Sequence, residues 1–241
     1  MNFKEKCLKL KNSILEAIFP SNFSCILCDN EMPDDSLICE ECRKEQIFNV
    51  GNKCCKCDTI VKEGNIICDN CKENKRFFEK CFCPLIYDGN VRKAILKFKS
   101  DRAKYFAKPF AKLIYERILQ ENIDIDFIVP VPSHIKTIKK RGYNPAFVIA
   151  EELSLLMNKP VCDILEKNIL SSSQKTLTFV ERQTNLENCM VLKDKTIVKN
   201  KNILIVDDVI TTCATINACA SLLHRANKIY AVAVARTQLT K

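Results

Sequence analysis

An α/β fold built on a parallel sheet flanked by helices, with a small cysteine-based module before it, is what this sequence predicts. Three observations carry that expectation. From residue 84 onward, apolar strand-like runs alternate with helical periodicity. Cysteines crowd the first third, with twelve between Cys7 and Cys83 and four beyond. Charge divides at the same place: residues 1–84 carry 13 Lys+Arg against 14 Asp+Glu, residues 85–241 carry 25 against 15. A chain of 241 residues with 47% hydrophobic content can bury a core in one or two domains, so a disordered chain is excluded. No run approaches the ~18 uncharged apolar residues of a membrane span, and no secretory signal opens the sequence, so a cytoplasmic protein is expected. The four glycines are Gly51, Gly64, Gly89 and Gly142, which excludes the glycine-dependent phosphate signatures from the last 99 residues.

Residues 1–22 are expected to form an amphipathic helix. Cys7, Leu8, Ile14, Leu15, Ile18 and Phe19 fall near one face with lysines opposite, and Pro20 ends the run. Docking onto the rest of the chain is the preferred reading, and a membrane-surface helix the alternative.

Residues 23–84 hold Cys25-x2-Cys28, Cys39-x2-Cys42, Cys54-x2-Cys57 and Cys68-x2-Cys71. The second quartet is the first displaced by 29 residues, and Asp29 and Asp58 follow the second cysteine of each, so a small unit has been duplicated. Two CxxC knuckles supply four thiolates to one tetrahedral ion, and zinc is expected at two structural sites. Iron–sulfur ligation and disulfides are the competing readings, the second disfavoured in a reducing compartment. Pairing stays open: Cys55 could replace Cys54, and a cross-braced arrangement would join the first knuckle to the third. Cys81 and Cys83 are spaced as packing residues of a strand.

In residues 85–241, the run 127–131 reads as a buried strand ending in Pro-Val-Pro. Asn144-Pro145 is an N-cap with proline at the first helical position. Residues 203–206 form an apolar run that ends in Asp207 and Asp208, 214–225 a helix and 229–234 another strand. Ligands of such sheets bind beyond the carboxyl ends of the strands. There the loop Thr211, Thr212, Cys213, Ala214 and Thr215 offers N–H groups and hydroxyls at a helix N-terminus, which favours a phosphate, while the acid pair suits a diol. Together they describe a ribose 5-phosphate site.

That stretch resembles the phosphoribosyl pyrophosphate loop of type I phosphoribosyltransferases. Val129-Pro130-Val131-Pro132 with Arg141-Gly142-Tyr143-Asn144 resembles the VPVP…RGxN stretch of the competence protein F (ComF) family. Gln174, Leu177, Arg182 and Asn185 fit that family's Q-x-x-L…R-x-x-N segment, and Tyr87 with Lys97-Phe98-Lys99 its first motif. The cysteine quartets look like the double zinc ribbon of its longer members. The resemblance implies a type I phosphoribosyltransferase-like domain after the ribbon, with Asp207 and Asp208 holding the ribose hydroxyls near Mg²⁺. It places the 5-phosphate on 211–215 and pyrophosphate at Pro130, Val131, Pro132 and Ser133. Lys136, Lys139, Lys140, Arg141, Lys175 and Arg182 would neutralise the leaving group. It also implies a role in DNA uptake during natural competence, with single-stranded DNA and a helicase as partners; a homo-oligomer is also considered. An active transferase moving ribose 5-phosphate to or from a nucleobase is the alternative. Two positions depart from the pattern: Cys213 stands where glycine is usual, and Pro145 where glutamine is.

His134 could contact phosphate or base, although a loop surface residue is the commoner case; His224 is expected to cap a helix or face solvent. Arg92, Lys93, Lys97, Lys99, Arg102, Lys104 and Lys108 place seven basic residues in 17. They form a solvated helix face or a track for single-stranded nucleic acid, with Phe98, Tyr105, Phe106 and Phe110 as stacking platforms in the second case. Periodicity turns most of those aromatics toward the core.

Overall fold

A computed structural model describes residues 24–32, 36–45, 47–100, 103–167 and 190–238. The helix expected within 1–22, the segment carrying Gln174, Lys175, Leu177, Arg182 and Asn185, and Arg102 lie outside the described residues. The chain divides into two compact units, Met1–Gln46 and Ile47–Lys241.

The smaller unit is a knuckle closed by the antiparallel bridge Ser24↔Glu31, followed by a short helix α1 (Glu40–Lys44). The Cys25 N–H donates to Asn30 O at 2.8 Å, and Ile26 N–H to Leu37 O at 3.1 Å. The larger unit begins with the same bonds displaced by 29 residues: the bridge Lys53↔Ile60, Cys54 N–H to Thr59 O at 2.8 Å, and Cys55 N–H to Ile66 O at 2.9 Å. A helix α2 (Asp69–Glu73) follows. Asp29 and Asp58 both adopt left-handed backbone, φ 61° and 63°, which turns the chain sharply after the second cysteine. The duplication is thus of structure as well as of sequence.

After α2 the larger unit continues through β1 (Lys80–Phe82), β2 (Leu85–Ile86), α3 (Gly89–Phe98) and α4 (Ala107–Leu119). Then come β3 (Phe127–Pro130), α5 (Ile135–Arg141), α6 (Pro145–Met157), β4 (Leu165–Lys167) and β5 (Met190–Leu192), with β6 (Asn202–Ile210), α7 (Ala214–Leu222) and β7 (Lys228–Arg236) last. The main sheet runs β1-β7-β6-β3, all parallel, with β2 pairing further along β7. β4 and β5 form a separate antiparallel ribbon. The central strands are apolar on both faces because helices cover both, and Ile203 through Val206 are fully buried.

The strand expected at 203–206 runs on to Ile210, so Asp207 and Asp208 lie within β6 rather than after it. The reason is the partner: β7 pairs with β6 as far as Ile210↔Arg236, while β3 stops at Pro130↔Val206. One edge of β6 therefore opens at the acid pair.

The aromatic residues of the basic segment divide as periodicity implies. Phe98, Phe106 and Phe110 are buried with rings packed 5.5–6.5 Å apart, which corrects their reading as stacking platforms; Tyr105 alone of the four is exposed, at 62%.

Candidate functional site

Two loops leave the sheet on the same side, Val131 to His134 after β3 and Thr211 to Cys213 after β6. Val131 N–H donates to Val206 O at 2.8 Å, holding the first against the second strand. Asn144 organises the rest. Its Oδ1 caps α6 by accepting from Ala146 N–H at 3.2 Å and from Ser133 Oγ at 2.8 Å, while its Nδ2 donates to Val131 O at 2.9 Å. Pro145 sits at the first helical position, where the missing N–H costs nothing. Asn144→Ala is expected to lower stability by about 1–3 kcal/mol in urea unfolding, with part restored by Ser, because cap and loop ties go together.

The rest of the Arg-Gly-Tyr-Asn motif is explained by the same geometry. Gly142 ends α5 in left-handed backbone, φ 85°. Buried Tyr143 donates its hydroxyl to the carbonyl of Phe98 and lies 3.2 Å from that of Ser100, which fixes the chain around Lys99. Lys99 Nζ then reaches Asp208 Oδ1 at 2.6 Å. Asp208 N–H donates to Asp207 Oδ1 at 2.8 Å. Burial and the neighbouring Asp208 push the Asp207 carboxyl up to about 8, with Lys99 and Lys167 opposing.

In the loop after β6, Thr212 Oγ1 accepts from Ala214 N–H at 3.4 Å, and Cys213 takes the left-handed conformation, φ 66°. Glycine is the usual residue for such backbone. The Cys213 side chain is 3% exposed and belongs to the same buried cluster as Cys57 and Cys81, on the interior side of the loop. It therefore does not stand where a phosphate would approach. Thr211 is exposed and Thr212, Ala214 and Thr215 are half-buried around the first turn of α7, whose leading N–H groups have no partner within the helix.

Of the other expected residues, Lys136, Lys139 and Lys140 are exposed on α5 and Arg141 is half-buried at its end. His134 caps α5, its Nδ1 accepting from Lys136 N–H at 3.1 Å, and its buried Nε2 meets no partner among the described residues. His224 is exposed beside Ser221 O. A cavity of about 380 Å³ adjoins Pro132 and Ser133 and is walled by Ile135, Phe147, Leu165, Lys167 and Lys193 among others. Sequence reading missed it, because its walls come from α5, α6 and the β4–β5 ribbon.

The thiols gather as two groups, Cys25, Cys28, Cys39 and Cys42 in the smaller unit and Cys54, Cys57, Cys68 and Cys71 in the larger, with sulfurs in each group within 4.8 Å of one another. Each draws on its own two knuckles, and Cys55 is exposed outside them. Cys81 and Cys83 are buried in the core around β1. Either group could bind zinc. The Cys28–Cys39 and Cys57–Cys68 sulfurs are each 3.6 Å apart, close to the ~3.8 Å between two thiolates about 2.3 Å from a tetrahedral ion. Peptide N–H groups of Leu27 and Cys39 point at Cys25 Sγ, 3.5 and 3.4 Å away, as thiolate acceptors need. Beside the second group stand two guanidinium groups: Arg76 Nε donates to Cys71 Sγ at 3.3 Å, and buried Arg236 donates to the Cys57 carbonyl. Four thiolates on a divalent ion would leave two negative charges, which the two arginines would offset. An arginine closing the apolar run Ala231-Val232-Ala233-Val234-Ala235 was the signal in the sequence for a buried cation with a buried counter-charge.

No helix among the described residues is long and apolar enough to cross a membrane. The sequence model of the family described as "Phosphoribosyl transferase domain" matches residues 102–240. Competence protein F of Haemophilus influenzae is 29% identical over 139 residues, covering 54% of this chain. The match spans 60% of that relative's length. Two solved structures described as analyses of an invariant aspartic acid in HPRTs, an alanine mutant and a glutamic acid mutant, each match with a TM-score of 0.33 and 16% identity, over 54% of this chain and 65% of theirs.

Proposed function

The chain belongs to the phosphoribosyl transferase domain family and is ComF-like, and from that footing we propose that it binds phosphoribosyl pyrophosphate or a nucleotide with Mg²⁺, in the handling of single-stranded DNA during natural competence. The observation that carries the ligand is the open edge of β6, where Asp207 and Asp208 stand on the strand that leads directly into the 211–215 turn at the start of α7. Asp207 and Asp208 would accept from the ribose hydroxyls, the N–H groups of 211–215 would bind the 5-phosphate, and Pro130, Val131, Pro132, Ser133 and Arg141 would border pyrophosphate. Mg²⁺ would supply charge neutralisation of that pyrophosphate. Lys99, whose Nζ stands 2.6 Å from Asp208 Oδ1, would supply a cation to a ligand bound at the acid pair. Two structural zinc ions at the cysteine groups, and the division into helix 1–22, ribbon 23–84 and transferase-like domain 85–241, belong to the same reading.

For DNA, the support is the basic surface: Arg92, Lys93 and Lys97 are exposed along α3, Lys104 and Tyr105 in the 3-10 turn before α4, and Lys108 in its first turn. Such a track binds through phosphate charge, so affinity for a single-stranded oligonucleotide is expected to fall steeply as salt rises. Binding that is absent at low salt, or indifferent to salt, rejects it. A helicase partner and self-association rest on the family resemblance alone.

The 380 Å³ cavity beside Ser133 favours a second reading, an active transferase with a nucleobase as acceptor. Product formation with each nucleobase in turn separates the two: binding without turnover is expected under the first reading, and pyrophosphate release dependent on one base establishes the second.

A further inference from the structure

The 211–215 loop is tied to the second cysteine group by contacts that the sheet does not require. Asn70, which lies in α2 between ligand positions Cys68 and Cys71, donates its Nδ2 to Thr212 O at 3.3 Å. Arg236 bridges the carbonyl of Cys57 and, at 3.3 Å, that of Thr211. Cys213 is buried in the same core cluster as Cys57 and Cys81. One turn into α7, Asn217 accepts from Phe77 N–H at 2.9 Å and donates to Lys75 O at 3.1 Å, just beyond the last ligand. In a trans peptide the C=O and N–H point in opposite directions. Holding the Thr211 and Thr212 carbonyls on the cysteine side therefore aims the N–H groups of Thr212 and Cys213 the other way, toward where a phosphate would bind.

We propose that the second cysteine group is the positioning element of the phosphate loop: metal held at Cys54, Cys57, Cys68 and Cys71 and phosphate held at 211–215 strengthen one another, and loss of this metal disarms the loop. The proposal rests on the phosphoribosyl reading for the ligand's identity. Cys213 then has a reason to replace glycine, since its side chain is the loop's anchor on the metal-bearing knuckle. Coupling between two sites is reciprocal, so it can be read from the metal's side without any catalytic assay.

The test uses the 241-residue chain loaded with zinc. Zinc is partitioned to equilibrium between the protein and a chromogenic chelator with and without saturating ribose 5-phosphate, and the site that remains in Cys28→Ser is assigned to the second group. Ribose 5-phosphate is expected to tighten zinc binding there at least about fivefold; a change of less than about twofold overturns the coupling. Failure of ribose 5-phosphate to bind, read by calorimetry on the same sample, overturns the phosphoribosyl reading instead. Hydrogen exchange then decides the coupling alone. Stripping the second zinc from the wild-type chain is expected to raise exchange at the amides of 212–215 relative to β3, and unchanged protection there overturns it.

Discussion

Replacing Asp207 and Asp208 together by alanine is expected to weaken binding of phosphoribosyl pyrophosphate with Mg²⁺ by about 100-fold or more, measured by calorimetry. Asp208 would accept a charge-assisted hydrogen bond from the ribose diol, worth about 1.5–3 kcal/mol, and Asp207, raised to about 8, a neutral one worth about 0.5–1.5 kcal/mol. The change also leaves Lys99 without the 2.6 Å partner that now fixes it. Affinity, or pyrophosphate release, that survives the double change would remove the site from β6. The single change Asp207→Asn has a separate signature in stability. Burial and Asp208 hold this carboxyl up to about 8, above the ordinary value of 3.8. Between those two values the unfolded chain releases a proton that the folded chain keeps, so this group's contribution to stability falls as pH rises from about 4 to 8. Asn removes the ionisation, and its melting temperature is expected to exceed that of wild type by at least about 3 °C at pH 8 and to match it near pH 4. A gain independent of pH would show that Asp207 ionises freely.

Arg236→Met is expected to be the most damaging single substitution in the larger unit. The guanidinium is 0% exposed and holds the carbonyls of Cys57, Thr211 and Thr237. Removing one partner of a buried charge pair costs about 3–5 kcal/mol, which for a domain of this size lowers the melting temperature by roughly 6–20 °C. With Arg236 gone, two net negative charges on a metal-bound second group would face Arg76 alone. Elemental analysis is therefore expected to find about one zinc per chain, against the two expected of wild type. Full metal content with an unchanged melting temperature would show that Arg236 is not the counter-charge.

The local features of the fold were legible in the sequence because their causes are local. A CxxC knuckle brings two thiols together within one turn, so the spacing and its 29-residue repeat announced both groups. The apolar run ending in Asp207 and Asp208 and the threonine loop behind it are likewise one continuous segment. Even Asn144-Pro145 could be read as a helix start. What the spacing left open, cross-bracing or the substitution of Cys55 for Cys54, depended on which hairpins fold beside each other. The length of β6 depended on how far β7 runs alongside it, and no property of 203–206 sets that.

A duplicated four-cysteine module and a parallel sheet with an acid pair and a phosphate-type loop follow from residue order alone, since each is encoded in residues a few positions apart. What stands around them depended on long-range packing. Lys99 meets Asp208 across 109 residues because Tyr143 pins the end of α3. Asn70 meets Thr212 across 142 residues, and Arg236 meets Cys57 across 179, because β1 and β7 pair and carry the second knuckle to the loop. The meaning of Cys213 followed from the same packing. A side chain that in sequence appears to crowd a phosphate turns inward at φ 66°, into a pocket of sulfur that exists only once the sheet has formed.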